Sequence, residues 1–295
     1  MSDDDRDRWS DPYEPPENDP QEEQGERSMS FFAATAWAFL TSLALTLLIG
    51  FVASLRGAES LDLTTGVGIQ TIVYLLILFL ILQIYAPQQS VRHFLGLRGT
   101  HFAFFPIAGV LGALAQLPMT ALFTFIDKYR PVDPDSEKYI YDQLHSGSAR
   151  RIAVCIAIVA VGPFVEEMFF RGAIFRPLRR AAGPWSVVLV TGILFGVVHT
   201  EWQRMIPIAF LGIILGILRS SSGSLIPGVV MHATFNATTV IDTIQSGPVP
   251  PEHQPMIPTS WIIGGSVATF VLVALVILLG ERTATAREAR QEDLA

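Results

Sequence analysis

The sequence lacks the charged residues that would cover a water-soluble protein of its size. Of its 295 residues, 16% are charged and 50% are hydrophobic, whereas a soluble domain carries roughly 25% charged residues. A cysteine pair is also absent, because Cys155 is the single cysteine and a disulfide scaffold needs at least two. The net charge of -7 lacks the positive excess of nucleic-acid-binding proteins. These absences exclude a disulfide-rich domain and a nucleic-acid partner, and they indicate a protein whose surface faces a lipid bilayer.

The charge that is present lies mostly at the N-terminus. Residues 1–30 contain eleven acidic residues and three arginines, so the rest of the chain is close to neutral. This segment also contains proline and few aliphatic residues, and such a composition cannot bury enough apolar surface to fold. It lacks the basic start and early apolar run of a secretory signal. We therefore predict a disordered acidic cytoplasmic tail over residues 1–30.

Long apolar segments fill the remainder of the chain. A hydrocarbon core of about 30 Å requires about 20 apolar residues per helix. The candidate membrane spans are residues 31–54, 66–85, 102–126, 152–170, 186–199, 205–218, 225–243 and 260–280. Polar or turn-rich segments separate them, including a long loop predicted at residues 127–151. The pattern predicts an all-α, polytopic transmembrane helical bundle with about eight membrane segments. Residues 31–149 then form the N-terminal helices and loops, residues 150–243 a helical core, and residues 244–295 the last helix and C-terminal tail.

Lysine and arginine are unevenly distributed between the two sides of the predicted bundle. Thirteen lie on the side of both termini and seven on the opposite side. Because cytoplasmic loops carry the excess of positive charge, both termini are predicted to be cytoplasmic. Four arginines after the fourth span contribute most of the difference. They are Arg171, Arg176, Arg179 and Arg180.

Two of the predicted spans are too short to cross a bilayer comfortably. Residues 186–199 and 205–218 are 14 residues each, which is about 21 Å of helix. The polar residues 200–204 between them form either an ordinary loop between longer helices or a turn recessed into the membrane, where protein or water must surround it. Each short span also has two glycines four residues apart, a spacing that allows helices to pack closely. These glycines are Gly192 and Gly196 in the first span and Gly212 and Gly216 in the second.

Few ionisable or strongly polar residues lie inside the predicted spans. They are Glu166, Glu167, His199, His232, Asn236 and Asp242. A charged carboxylate within a bilayer costs at least about 2.5 kcal/mol, so the adjacent glutamates are expected to face the bundle interior or water. Arg171 lies four residues after Glu167, which is the spacing of an ion pair on one helix face. Glu166 is then the freer carboxylate. The alternative is that both acids mark the cytoplasmic end of the span and lie in water.

These polar residues are expected to converge in the bundle. If a tight turn at residues 183–184 joins the fourth and fifth helices, Glu166 and His199 are equally far from the turn and meet at one level. His232 and Asn236 are four residues apart and share one face of the seventh helix. The remaining histidines lie in loops or at span ends and are expected to be solvated. They are His93, His101, His145 and His253.

Such a set of residues favours hydrolysis of an amide without a serine or cysteine nucleophile. A carboxylate beside a histidine in a partly dry site can remove a proton from water. Attack of that water on a peptide carbonyl produces an oxyanion, and each well-placed amide or imidazole N–H contributes about 3 kcal/mol to its stabilisation. Glu166, His199 and His232 could also form a zinc site, although the H-E-x-x-H spacing of soluble metalloproteases is absent.

Three motifs in the sequence resemble those of a known family. In order, they are Glu166-Glu167-x-x-x-Arg171, Phe195-x-x-x-His199 and His232-x-x-x-Asn236. Their order and approximate spacing are similar to those of the CAAX protease and bacteriocin-processing (CPBP, or Abi) intramembrane proteases. The resemblance covers about residues 150–243, and it implies that this helical core is catalytic.

The resemblance implies a role for each motif residue. Glu166 would activate a water molecule with His199, while His232 and Asn236 would bind the oxyanion. The supporting residues would be Glu167 and Arg171. Members of the family are described both as metalloproteases and as metal-free glutamate proteases. We favour a mechanism without a cofactor, because asparagine is a poor zinc ligand but a good oxyanion donor. Zinc held by Glu166, His199 and His232 is the alternative.

The expected activity is intramembrane endopeptidase activity on a membrane-associated protein or peptide, in the plasma (inner) membrane of a bacterium. One rival is a proton-coupled transporter in which Glu166, Glu167 and His199 form a relay. It predicts inverted repeats, and no matching pair of motif-bearing halves occurs in the sequence. The other rival is a non-catalytic membrane scaffold or immunity protein that uses the same fold to bind a partner.

Overall fold

A computed structural model describes residues 25–58, 60–129, 131, 134–199, 202–246 and 257–292. Within these ranges the regular structure is helical, and no strand occurs there. The helices are α1 (Phe31–Arg56), α2 (Leu63–Tyr85), α3 (Val91–Phe94), α4 (Phe104–Leu114), α5 (Gln116–Asp127), α6 (Pro134–His145), α7 (Ser148–Arg179), α8 (Pro184–Val197), α9 (Trp202–Ser222), α10 (Ile226–Ser246) and α11 (Thr259–Glu292).

The helices confirm the predicted polytopic bundle. Six helical stretches among the described residues are long and apolar enough to cross a membrane, and α8 is a shorter apolar helix. Large hydrophobic side chains on the outer helices are exposed, including Phe32 on α1 and Trp261 on α11. Such exposure is unfavourable in water and is expected where lipid covers the surface. The protein is therefore an integral, multi-pass membrane protein.

The predicted short spans are partly correct. Helix α8 has 14 residues, as expected, but α9 has 21. The prediction of a second short span is therefore wrong, because the first turn of α9 is polar and hydropathy alone does not recognise it as helix. Residues 202–204 of the predicted turn are helical, while residues 200–201 lie outside the described residues, as do residues 247–256 of the C-terminal segment.

The long loop predicted at residues 127–151 contains a helix, α6, so the prediction of a loop is wrong there. This helix packs against α7 and α10, where Leu144 and Val240 belong to one small buried cluster. The hydroxyl of Tyr139 donates a hydrogen bond to the Leu61 carbonyl in the loop between α1 and α2. This helix is amphipathic, so its apolar residues alternate with polar ones. It therefore lacks the continuous apolar run by which the other helices were predicted.

The predicted disordered tail extends too far along the chain. Residues 25–30 pack on the bundle, while residues 1–24 lie outside the described residues. The carboxylate of Glu26 accepts hydrogen bonds from Arg176 at 2.8 Å and from Arg180 at 3.2 Å. One of the acidic residues in the predicted tail thus forms ion pairs with the arginines at the end of α7, so it is not part of a solvated tail.

Helix α2 begins three residues earlier than predicted because Asp62 caps it. The Asp62 carboxylate accepts a hydrogen bond from the backbone N–H of Thr65 at 3.0 Å, which satisfies a donor that the first helical turn leaves free. Hydrogen bonds from the Thr64 side chain and from the Thr65 backbone hold the pKa of this carboxyl well below its usual range. The polar start of α2 is therefore a stable helix end.

Helices α8 and α9 pack at the close distance that their glycines allow. A Cβ atom added to Gly192 would lie 2.6 Å from Cγ1 of Ile213, and one added to Gly212 would lie 2.8 Å from the Gly192 carbonyl oxygen. Both distances are too short for non-bonded atoms, so the predicted role of these glycines is confirmed. The close approach brings the backbone of α9 next to the polar residues of α7.

Helix α7 occupies the centre of the arrangement, with α2, α8 and α10 packed along it. Helix α4 in turn packs against α10, where Gly112 lies in contact with the backbone of α10 at Met231. Residues from α2, α7, α8 and α10 can therefore meet inside the bundle.

Candidate active site

The glutamates of the first motif lie between two irregular segments of α7. Two π-helical segments, Ala157–Val161 and Met168–Ile174, flank the α-helical turn Gly162–Glu167. Pro163 in this turn has no N–H to donate. Wide turns of this type are uncommon and occur often at functional sites. Glu166 and Glu167 thus lie where the α-helical turn meets the second π-helical segment.

Glu167 and Arg171 form the ion pair that their spacing predicts. Oε1 of Glu167 lies 2.8 Å from Nη1 of Arg171, and both residues are 0% exposed. The second guanidinium nitrogen of Arg171 donates to the Gly212 carbonyl at 2.7 Å, and the guanidinium lies 4.6 Å from the ring centre of Phe195. The pair therefore ties α7 to α8 and α9, and the alternative in which both glutamates lie in water is wrong.

Replacement of Arg171 by leucine is expected to lower thermal stability strongly. It leaves the buried Glu167 without its cationic partner, which costs about 3–5 kcal/mol where burial is deep. Glu167→Gln is expected to act similarly, and the double variant should lose less than the sum of the single losses. Thermal unfolding of the purified protein in detergent measures these effects.

A matched control for this prediction is the exposed ion pair of Lys138 and Asp142 on α6, which has the same spacing and side chains that are 64% and 53% exposed. Lys138→Met is expected to change the melting temperature little, since exposed pairs contribute about 0–1 kcal/mol. Equal small changes for Arg171→Leu and Lys138→Met would contradict the structural role of the buried pair.

His232 lies between the two glutamates. Its Nδ1 is 3.3 Å from Oε1 of Glu167, its Nε2 is 3.7 Å from Oε2 of Glu166, and the residue is 4% exposed. The predicted convergence of the seventh helix on the fourth is therefore present in the structure. The carboxylate of Glu167, already paired with Arg171, holds one ring nitrogen of His232 and thereby directs the other towards Glu166.

Glu166 has a partner that the sequence did not indicate. Its Oε1 accepts a hydrogen bond of 2.6 Å from the side-chain amide of Gln70 on α2. Oε2 faces His232 instead, and the Glu166 side chain is 14% exposed. The signal that could have revealed Gln70 is a polar amide in the middle of an otherwise apolar span, because such residues usually face other helices.

The phenylalanine of the second motif packs against α7 and against the third motif. The Phe195 ring packs edge-on against Phe170 of α7, with ring centres 5.1 Å apart, and also against His199 and His232. Since α7 and α8 are antiparallel, the Phe170 contact brings Glu166, one turn before it, towards the level of His199, one turn after Phe195. The common level of Glu166 and His199 stays a prediction.

The orientation of His199 is fixed by its own helix. Its Nδ1 lies 2.6 Å from the Phe195 carbonyl oxygen. Because a carbonyl oxygen accepts, Nδ1 carries the hydrogen, and Nε2 of the neutral ring is then an acceptor.

Asn236 makes a contact that the sequence did not indicate. Its amide nitrogen donates to the Ile158 carbonyl of α7 at 2.9 Å. In the π-helical segment the N–H of Gly162 donates to the Ala157 carbonyl, five residues earlier. By the same spacing, the N–H of residue 163 would donate to the Ile158 carbonyl. Residue 163 is a proline and has no N–H, so this carbonyl lacks a backbone donor. Asn236 thus replaces the missing donor.

The predicted solvation of the other histidines is only partly correct. Nε2 of the half-buried His93 lies 2.7 Å from the Arg176 guanidinium, and Nδ1 of the half-buried His145 bonds a carbonyl of its own helix. These contacts overturn the expectation for His93 and His145. His101 is exposed, as expected, and His253 lies outside the described residues.

The residues of the site do not fit zinc well. Among the residues that the structure describes, no group of three His, Cys, Asp or Glu side chains is arranged to hold a metal ion. Of the three predicted ligands, Glu166 and His232 lie close together, and no third ligand completes a set with them among the described residues. Catalytic zinc requires three converging protein ligands. The reaction proposed below is therefore written with these side chains and water alone.

Comparisons with known proteins cover the part of the chain that contains these motifs. Residues 148–238 match the family described as type II CAAX prenyl endopeptidase, Rce1-like. A protein of Escherichia coli, called an uncharacterized 24.3 kDa protein, is 31% identical over 94 residues; this match spans 30% of the present chain and 42% of the relative. The chain thus spans less than half of that relative's length. No solved structure matches the chain. The match of residues 148–238 to this family confirms the resemblance to the CPBP proteases that the three motifs predict.

Proposed function

We propose that the protein is an intramembrane endopeptidase that hydrolyses a peptide bond of a membrane-associated substrate with water activated by Glu166. The observation that carries this proposal is the placement of the Glu166 carboxylate. One oxygen accepts a hydrogen bond from Gln70 while the other faces His232, inside a bundle where an ionisable group is costly. A carboxylate held at one oxygen and open at the other suits a general base. The family match of residues 148–238 supports the same class of reaction.

In the proposed reaction, Glu166 first removes a proton from water. The water oxygen attacks the carbonyl carbon of the scissile bond, and the former carbonyl oxygen becomes an oxyanion. When the C–N bond breaks, Glu166 returns the proton to the leaving nitrogen. The products are a new carboxyl terminus and a new amine, and Glu166 is again a carboxylate.

His199 is proposed to position the attacking water. Since its Nδ1–H bonds the Phe195 carbonyl, its Nε2 can accept the second hydrogen of the water molecule. The water oxygen is then held between two acceptors, with a lone pair directed at the substrate carbonyl. Such positioning reduces the entropic cost of the attack.

His232 and Asn236 are proposed to donate to the oxyanion. The Asn236 amide has two hydrogens, and the bond to the Ile158 carbonyl uses one of them. His232 can donate from Nε2, the ring nitrogen that faces away from Glu167. Donors held by the protein before the reaction stabilise the developing charge most effectively.

The proposed substrate is a protein anchored at the membrane, because the site lies within the helical bundle. The description of the matched family names CAAX prenyl endopeptidases. Peptides that carry a lipid near the C-terminus are therefore the first substrates to test. We further propose that both termini are cytoplasmic, since the arginines that follow Arg171 lie at the end of α7, and that the membrane is the bacterial plasma membrane.

The experiment that tests the proposed function compares the termini of membrane proteins after incubation with the purified full-length protein in detergent. New termini that appear with the wild type and not with Glu166→Gln support an endopeptidase. If no termini appear, and vesicles that contain the protein conduct protons instead, the transporter is the better interpretation. If neither activity is found, the scaffold or immunity protein is favoured.

A further inference from the structure

Helix α2 supplies a side chain to the site from outside the matched segment. Gln70 donates a hydrogen bond of 2.6 Å to Oε1 of Glu166, whereas the family match begins at residue 148. Helix α2 packs along the central part of α7, and Gln70 is part-buried in this contact. An amide placed there loses its hydrogen bonds to water, so it must find a partner within the bundle.

The bond restricts the orientation of the Glu166 carboxylate. The terminal torsion of a glutamate side chain is broad and has weak preferences of its own, so its two oxygens are readily exchanged by rotation. A donor on Oε1 holds that oxygen towards α2 and leaves Oε2 directed at His232. The hydrogen bond from Gln70 thereby determines that Oε2 is the oxygen of Glu166 that faces His232.

Gln70 lies beside a second residue of the same helix. The side chain of Tyr74, one turn later on α2, lies close to that of Gln70. Tyr74 is 5% exposed, and its ring packs edge-on against Phe169 of α7 with centres 5.0 Å apart. The contacts thus run from α7 through Tyr74 and Gln70 back to Glu166 on α7. A side chain locked by such neighbours can hold a reactive group within a narrow range of positions.

We infer that Gln70 is a positioning residue for the general base. It occupies Oε1 of Glu166, so that Oε2 is the oxygen that accepts the proton of the attacking water. This inference rests on the proposed function. It extends the site to the N-terminal helices, which lie outside the three motifs, and it makes those helices necessary for catalysis as well as for the fold.

A purely structural role is the alternative, and the chain offers a matched control for it. Gln116 on α5 also donates from its side-chain amide to another helix, at 2.7 Å to the Phe235 carbonyl and 2.7 Å to the Thr239 hydroxyl. It makes no bond to Glu166. Replacing either glutamine by methionine removes the donors and keeps the length of an unbranched side chain.

The first test is steady-state cleavage by the full-length protein in detergent, with the peptide that the wild type cleaves best. Gln70→Met is expected to lower kcat by about 10–100-fold, because a displaced general base loses its alignment with the attacking water, with KM within about two-fold of wild type. Gln116→Met is expected to lower the melting temperature while kcat stays close to wild type. A kcat of Gln70→Met within about two-fold of wild type would overturn the inference, as would equal losses of kcat in both variants.

The second test does not depend on cleavage. Melting temperatures are measured for the wild type, Gln70→Met, Glu166→Leu and the double variant. If Gln70 bonds Glu166, Gln70→Met lowers the melting temperature of the wild type but has little further effect on Glu166→Leu. Additive losses would overturn the inference. Turnover by Glu166→Gln close to that of the wild type would instead refute the glutamate mechanism, and it leaves this thermal cycle unaffected, so the two failures are distinguishable.

Discussion

Replacement of Glu166 by glutamine is expected to abolish peptide cleavage while the protein remains folded. The change removes the base and keeps the shape of the side chain, and loss of a general base typically costs about 10²–10⁴-fold in turnover. The fold should survive because the amide of Gln70 can still donate to the new side-chain carbonyl. Single-turnover cleavage of a membrane-associated peptide, followed by mass spectrometry, measures the effect.

The control for this prediction is a glutamate outside the site. Glu281 lies exposed near the end of α11, and Glu281→Gln removes the same charge without touching the motifs. We expect cleavage by this variant at the wild-type rate, and a melting temperature close to that of the wild type for both variants. Near-normal turnover by Glu166→Gln would show that another group activates the water.

Replacement of Asn236 by alanine is expected to lower both turnover and stability. Loss of one oxyanion donor costs about 10²–10³-fold in kcat with little change in KM. The variant also leaves the part-buried Ile158 carbonyl without the donor that Asn236 supplies, which costs up to about 1–3 kcal/mol. Steady-state kinetics and thermal unfolding in detergent measure the two losses separately.

The two roles of Asn236 can be separated with Pro163. The variant Pro163→Ala restores a backbone N–H at the position that would serve the Ile158 carbonyl within α7. In the double variant Pro163→Ala/Asn236→Ala, the melting temperature is expected to recover while turnover stays low. Pro163→Ala alone is the control for any effect of straightening the helix. Recovery of turnover together with stability would show that Asn236 acts only through the backbone.

Contacts within one helix were predictable from the sequence. Glu167 and Arg171 lie one turn apart, so helix geometry alone indicates that they pair. The glycines of α8 and α9 are likewise four residues apart, and their small size indicates close packing wherever the two helices meet. The helical class follows from composition, since long apolar segments in lipid must satisfy their backbone hydrogen bonds internally.

Contacts between distant parts of the chain were not predictable in the same way. Gln70 and Glu166 are 96 residues apart, and hydropathy gives the position of a span without its rotation towards its neighbours. The partner of Asn236 depends on the π-helical register before Pro163, which the sequence does not indicate. The ion pairs of Glu26 depend on where the end of α7 lies relative to the N-terminal segment. In each case the residue type was evident, but its partner required the packing of two or more helices.

The most direct test of the central claim, that Glu166 activates water without a metal ion, is to measure metal content and turnover on the same purified protein before and after chelation. Glu166 faces Gln70 and His232 in the site, while Asn236 holds a backbone carbonyl, so this account predicts that chelation leaves turnover unchanged and that added Zn²⁺ does not increase it. Stoichiometric zinc that is lost in step with activity, and whose return restores cleavage, would contradict it.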